Sequence, residues 1–554
     1  MSAPYANSDS AGQRGSRDSI QVGMTKGDDR GSTTGAWVVP AMLVGVLVGA
    51  VLLLAHGTDG SRHRTTEISA VPARSADSGP LRAQLTIARG ASLTAIPHSF
   101  FGLSTEYSTL PVDELHRRLY GRAIALLHVV GDGPFVLRIG GDSSDHALFD
   151  PNIHRLPRWA FDLTQTFADR TARLVRELEL HVILDLNLIT TTPQRAAAWA
   201  RAAEATMPTG GIIGFEIGNE PDLYSQAFWV QTTDAVRFEG RALPKDITPA
   251  DYVRDFDSYS RVLSRVVRHV PLYAPALANP NADLSWIAAL LRGAHPRLGT
   301  VSGHRYPYSA CAFPGSPQYP TIDRILSEDA TAGMARSVKP PVALARRAGL
   351  PFVLTEFNSV TCGGLDRLSD SFATALWAPD AVFELERAGV RAVHLHARQT
   401  TINDPFRFDG PRFVAHPLMY GLILFTRTLG PDARLVHTQL RSPSPPHLKV
   451  WAVKVGRSTL HVLLINKGPR RVSVSSHLPA TAPATVERLL APSPGARFGV
   501  TLGGQRLDGN AQWVGAPAIE VIHPADRRYT VVLPRYSAAL LSVPVTHGSL
   551  HSDE

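Results

Sequence analysis

The stretch 211-GIIGFEIGNEPDLY-224 decides the fold. Gly211 to Ile217 is an apolar run with the composition of a buried strand. It stops in Asn219-Glu220-Pro221-Asp222, an amide, a carboxylate and a proline that cannot donate to a sheet ladder. A carboxylate at the tip of a buried strand is a poor structural choice and a good catalytic one. The question the stretch raises is whether other strands end on the same surface.

Seven further runs have the same character. They are FFGLSTEYS (100–108), PFVLRIGG (134–141), HVILDLNLI (181–189), PLYAPALA (271–278), GTVSGHRYP (299–307), FVLTEFNS (352–359) and RAVHLHA (391–397). Helical patterns separate them, among them TQTFADRTARLVRELEL, QRAAAWARAAEAT and DYVRDFDSYSRVLSRVV. In the last, Tyr252, Phe256, Tyr259, Val262, Val266 and Val267 recur close to helical spacing. Strands that alternate with helices predict a parallel sheet, and eight strands close a (β/α)8 TIM barrel over residues 98–430. A doubly wound open sheet is the competing arrangement, but no glycine-rich phosphate loop follows the first strand.

The rhythm changes after residue 430. HLKVWAVKV, TLHVLLINK, RRVSVSS, ATVERLL and YTVVLPRYSAALLSVPV are short alternating strands with turns between them. They predict an antiparallel β-sandwich over 431–545. The strand-like LRAQLTIARG near 81–97 precedes the barrel and needs a sheet to join, so it is assigned to that sandwich. A chain of 554 residues is too long for one core, which agrees with two folded domains.

At the N-terminus, residues 1–36 are rich in Ser, Gly and Asp and read as disordered. Residues 37-WVVPAMLVGVLVGAVLLLA-55 carry no charge, close to the ~20 residues that span a bilayer. The long polar segment before them argues against a cleaved signal peptide and for a single transmembrane anchor. Residues 56–80 read as a flexible tether. Arg14, Arg17, Lys26 and Arg30 before the run balance Arg62, Arg64, Arg74 and Arg82 after it, so charge does not orient it. The expected location is the cell membrane, with the catalytic domain outside the cytoplasm.

Net charge is +8, with 44% hydrophobic and 19% charged residues. That is a globular composition. The basic residues are scattered arginines rather than runs, so no nucleic-acid partner is expected.

In a barrel of this kind the C-terminal strand ends line the active site. Glu220 ends the fourth strand, and Glu356 in 351-PFVLTEFNS-359 ends the seventh, across the mouth. Two facing carboxyl groups supply what cleavage of a glycosidic bond needs, an acid for the leaving oxygen and an anion for the anomeric carbon. Asn219 precedes Glu220 and offers an amide to a sugar hydroxyl. The assignment is Glu220 as general acid/base and Glu356 as nucleophile. The bland alternative for either is a solvated strand end.

NEP at strand four and TEF at strand seven resemble the retaining barrel glycosidases. More narrowly, 134-PFVLRIGGDSSDHALF-149 with 100-FFGLSTEYS-108 resembles glycoside hydrolase family 79, which holds heparanase and β-glucuronidases. The likeness runs over about residues 81–545. It implies a barrel plus β-sandwich, cleavage at a β-linked uronic acid, and no metal or other cofactor. By position it implies Glu220 as acid/base, Glu356 as nucleophile and Asn219 at the 2-hydroxyl. Glu106 and Asp142 match positions that hold the first sugar. His304 and Tyr306 match the strand-six pair beside the nucleophile. Asp142 as a turn cap and His304 as a core histidine stay open. The loop 394-HLHARQTTINDPFRFDG-410 departs from the family, because it lacks the Tyr and the early Gly that grip a uronate. Arg398 offers a guanidinium in their place, or is an ordinary surface arginine.

The chain has two cysteines. Cys311 follows strand six and Cys362 follows strand seven, so both lie in adjacent loops at the mouth. A disulfide is expected there, with two free thiols as the alternative. Two Cys and dispersed His do not make a zinc set. The expected partner is a glycan or glucuronide. A xylosidase or arabinofuranosidase, and an inactive glycan-binding barrel, are the competing functions.

Overall fold

A computed structural model describes residues 79–545, apart from 89, 150–155, 157–159, 227–246 and 445–446. The expected anchor at 37–55, with the segments flanking it up to residue 78, lies outside the described residues. Among the described residues no helix is long and apolar enough to cross a membrane.

Eight parallel strands form a closed barrel. They are β1 (Phe101–Glu106), β2 (Val136–Gly140), β3 (His181–Leu186), β4 (Ile212–Ile217), β5 (Leu272–Leu277), β6 (Leu298–Arg305), β7 (Phe352–Phe357) and β8 (Ala392–His396). Each pairs in parallel with its sequence neighbours, and β8 closes on β1. Parallel strands covered on both faces read as unbroken apolar runs. β1, β2 and β7 are buried at every position, which is why these segments stood out in the sequence.

The crossover helices follow their patterns. α1 spans Gln165–Glu177, α2 Pro193–Thr206 and α3 Pro249–Val266. α3 starts where it does because Thr248 and Asp251 form a capping box and Pro249 fills the first turn. It buries Tyr252, Phe256, Tyr259 and Leu263, each worth about 1.5–3 kcal/mol when fully removed from water.

α4 (Phe372–Arg387) and α5 (Pro417–Thr428) are buried around nearly their whole circumference. They lie between the barrel and the C-terminal sheets. Phe383 of α4 packs on Phe425 of α5 and stacks on Trp451 of the sheets. Asp380 of α4 is held by Lys467 at 2.5 Å and by the Trp451 indole N–H at 2.9 Å. Lys449 bridges Glu328 and Glu384.

The C-terminal part is two sheets over one core. Leu85, Val474 and Val531 of the smaller sheet share an apolar cluster with Val462, Leu464 and Leu541 of the larger. The segment read as one strand near 81–97 is two. Leu81–Thr86 pairs with Gln439–Arg441 and Val472–His477 in the smaller sheet. Leu93–Ala95 pairs with Arg434–Val436 in the larger.

Candidate active site

The site is organised by one residue that composition alone would not flag. Arg138 sits inside β2, fully buried. Its Nε and Nη2 face Glu216 of β4, Nη2 donates to Asp185 of β3 at 3.0 Å, and Nη1 donates to Glu356 of β7 at 3.0 Å. The glycines after it make room. A Cβ at Gly140 would lie 2.7 Å from the guanidinium, and one at Gly141 would lie 2.6 Å from Glu106 Oε1. Gly141 also adopts a positive φ of 71°. Arg-Ile-Gly-Gly is therefore one device: a buried cation, and space for the groups it and Glu106 must meet.

Glu356 is gripped at both oxygens. Arg138 takes Oε2, and the Tyr306 phenol donates to Oε1 at 2.7 Å. His396 Nδ1 lies 3.4 Å from Oε1 and 3.1 Å from the Tyr306 oxygen. Burial alone would raise this carboxyl. The positive charges of His396, His304 and Arg138, with the Tyr306 hydrogen bond, outweigh burial and bring it down to about 2. Its ionised form stabilises the fold. The depressed folded value means this contribution is complete above the ordinary 4.5 and is lost as pH falls toward about 2.

Glu220 lies beyond the strand rather than on its last residue. β4 ends at Ile217, and Glu220 follows Gly218 and Asn219 in a left-handed conformation, φ 48° and ψ 53°. For a non-glycine residue that geometry is strained by roughly 1–3 kcal/mol and is typical of functional positions. Its amide N–H is held by Ala276 O at 3.0 Å. Pro221 then starts a short 3-10 turn, and Asp222 accepts the backbone N–H groups of Ala278 and Asn279. Asn-Glu-Pro-Asp thus aims Glu220 inward and ties its loop to the loop after β5.

The two glutamates converge. A carboxylate oxygen of Glu220, one of Glu356 and a ring nitrogen of His304 lie within 4.8 Å of one another. His304 Nδ1 is 2.9 Å from Glu220 Oε1. Burial would lower His304, but Glu356 and Glu220 raise it above its ordinary range. Asn219 is oriented from behind. Arg138 Nη2 donates to its Oδ1 at 3.0 Å, which turns Nδ2 toward Asp142 Oδ1 at 3.3 Å. The spacing of Glu220, His304 and Glu356 would also suit a metal ion, but Arg138 already neutralises Glu356 from within.

The β1, β2 and β8 side carries the remaining expected residues. Glu106 is 2% exposed and accepts the Ser143 N–H at 2.8 Å. His396 Nε2 and Arg398 Nη1 each lie 3.7 Å from its Oε1. Asp142 stands at the rim with much of the residue exposed, but its carboxyl turns inward to Asn219, and burial there, followed by the charges of Glu106, Glu220 and Glu356, raises it well above its ordinary range. All eight expected residues therefore line one mouth: Glu220, Glu356, Asn219, Glu106, Asp142, His304, Tyr306 and Arg398. Arg138, Asp185, Glu216 and His396 were not singled out from sequence. The first three share a visible mark, a charge in the middle of an apolar strand. Gly410 ends far along its hairpin, where its carbonyl meets His116.

Cys311 and Cys362 are joined by a disulfide, across loops that also pair as Tyr308–Ser309 against Val360–Thr361.

No family model matches the chain. A curated β-glucuronidase of Aspergillus niger is 22% identical over 478 residues, covering 77% of this chain and 80% of its own length. A 4-O-α-L-rhamnosyl-β-D-glucuronidase from Fusarium oxysporum 12S shares the fold at a TM-score of 0.65 and 16% identity, over 83% of this chain and all of that one. A family 51 arabinofuranosidase from Xanthomonas axonopodis pv. citri does so at 0.58 and 16%, over 84% of this chain and all of that one. The sequence relative and the shared barrel together support a glycoside hydrolase, similar to the β-glucuronidases that the sequence motifs resemble.

Proposed function

We propose that the protein is a retaining β-glycosidase, with Glu356 as nucleophile and Glu220 as acid/base. The observation that carries this reading is that a carboxylate oxygen of Glu220 and one of Glu356 lie within 4.8 Å of each other, which favours a closely spaced pair. Retaining pairs stand ~5–5.5 Å apart, and inverting pairs need ~6.5–9.5 Å to admit a water. The Glu356 carboxylate attacks the anomeric carbon while Glu220 gives its proton to the leaving oxygen, and the glycosidic C–O bond breaks. A water, deprotonated by Glu220, then attacks the same anomeric carbon and breaks its bond to Glu356, freeing the sugar with a second inversion and returning Glu356 as a carboxylate. Asn219 serves the 2-hydroxyl.

The substrate we infer is a β-glucuronide. The relative named above supports it, and Arg398 beside Glu106 is the cation available to a sugar carboxylate. A panel of 4-nitrophenyl β-glycosides tests the reading, with NMR identifying the anomer formed first. The β-anomer and a preference for glucuronide are expected; an α-anomer first overturns retention, and preference for a pentoside overturns the uronide. Arg398→Ala should lower kcat/KM on the glucuronide about 10- to 100-fold, the worth of one contact to a charged group. The glucoside should change far less.

Tyr306→Phe removes one of the donors that keep Glu356 ionised. The nucleophile then reprotonates at higher pH, so the acidic limb of the kcat/KM profile should move upward, with kcat down about tenfold. An unmoved limb would separate Tyr306 from the nucleophile's ionisation.

The disulfide supports a location outside the reducing cytoplasm. Protease treatment of intact cells, which should remove the activity, tests it.

A further inference from the structure

A second cavity opens from the site, and nothing above accounts for it. It holds about 930 Å³ and is lined by Glu220 and Tyr306 at its inner end. The rest of its wall comes from the loops after β4, β5, β6 and β7, with Asn279, Arg305, Gln318 and Asp323 among its polar side chains. None of Glu106, Asp142, His396 and Arg398 lines it. The sugar-holding residues therefore lie on the β1, β2 and β8 side, and the cavity on the other.

The position is informative because Glu220 stands at the junction. An acid/base residue faces the leaving oxygen, so whatever extends beyond that oxygen extends on its side. We propose that this cavity binds the leaving group, and that the leaving group is itself a saccharide of more than one unit. The inference rests on the reading of Glu220 as acid/base.

Size and construction both support it. Small-ligand sites span about 300–1,000 Å³, so the cavity is far larger than a simple phenol or alkyl group requires. Its lining mixes Tyr306, Tyr308 and prolines with amide, guanidinium and carboxylate groups, the combination that stacks on sugar rings and binds their hydroxyls. The walls are also held rigid. Asp222 ties down Ala278 and Asn279. Arg324 reaches the carbonyls of Ser316 and Tyr319, and Tyr308 donates to Arg324 O at 3.1 Å. The Cys311–Cys362 bond and the short ladder beside it fasten the β6 and β7 loops together. Preorganised walls reduce the ordering cost of binding.

The test compares two substrates with the same glycone, 4-nitrophenyl β-glucuronide and a β-glucuronosyl-terminated tetrasaccharide. Asn279→Ala and Gln318→Ala change two lining residues from different loops, after β5 and β6, and neither is among the residues placed at the reacting atoms. Each should reduce kcat/KM on the tetrasaccharide about tenfold, mainly through KM, and on the nitrophenyl glycoside by less than threefold. The trisaccharide left after cleavage should inhibit the wild type competitively and the variants more weakly. Gln318→Trp, which fills the space, should follow the same pattern, and thermal midpoints confirm folding. Equal losses on both substrates, or none on either, would overturn the proposal while leaving the glycosidase reading intact. Absence of turnover of any glycoside would instead overturn the glycosidase reading, and this inference with it.

Discussion

Glu356→Ala should lose about 10⁴- to 10⁶-fold in kcat, the scale on which removal of a covalent nucleophile is felt. Glu356 is 7% exposed, and its two oxygens are claimed by Arg138 and Tyr306. No other carboxylate can take its place without abandoning those donors. Truncation leaves a void that a small anion can enter. Azide should therefore rescue the Glu356→Ala variant and give the α-glycosyl azide, because it attacks from the face the carboxylate has vacated. With Glu220→Ala the covalent ester still forms on activated substrates, and azide should give the β-product. The opposite pairing of anomers would exchange the two roles; no rescue of either variant would separate both residues from bond breaking.

Arg138→Met should cost about 3–5 kcal/mol of stability, the range for removing one partner of a buried ion pair. That is a large share of the 5–15 kcal/mol that holds a typical domain. Asp185 and Glu216 are fully buried and keep only neutral donors, from Ser144 and Thr355. Glu356 loses the cation on its Oε2, so its carboxyl should rise and the acidic limb of activity move up with it. Denaturant titration reads the first effect and the pH profile the second. A second substitution, Glu216→Gln, should return part of the stability in the Arg138→Met background by removing one stranded charge. If it returns none, uncompensated charge is not the cause.

Much of this was legible in the linear chain, for identifiable reasons. Strands covered on both faces write themselves as apolar runs, so all eight barrel strands appeared. Glu220 and Glu356 appeared because each interrupts or ends such a run. Arg138, Asp185 and Glu216 interrupt runs in the same way, but their meaning lies in a contact among three strands, and one strand does not display it. His396 was hidden differently, because its partners Glu106 and Glu356 come from opposite ends of the barrel sequence. The left-handed turn at Glu220 also escaped notice, since neither Asn219 nor Pro221 announces a positive φ at the residue between them. The near-continuous segment at 81–97 carried no sign that its halves belong to different sheets.

The lysine at 467 and the aspartate at 380, 87 positions apart, make the C-terminal sheets something other than an appendage. Cutting the chain after residue 430 would strand a dry carboxylate in α4 and uncover two helices that have no wettable side. Evolution can vary the loops of the mouth freely, but it inherits the two halves as a single casting.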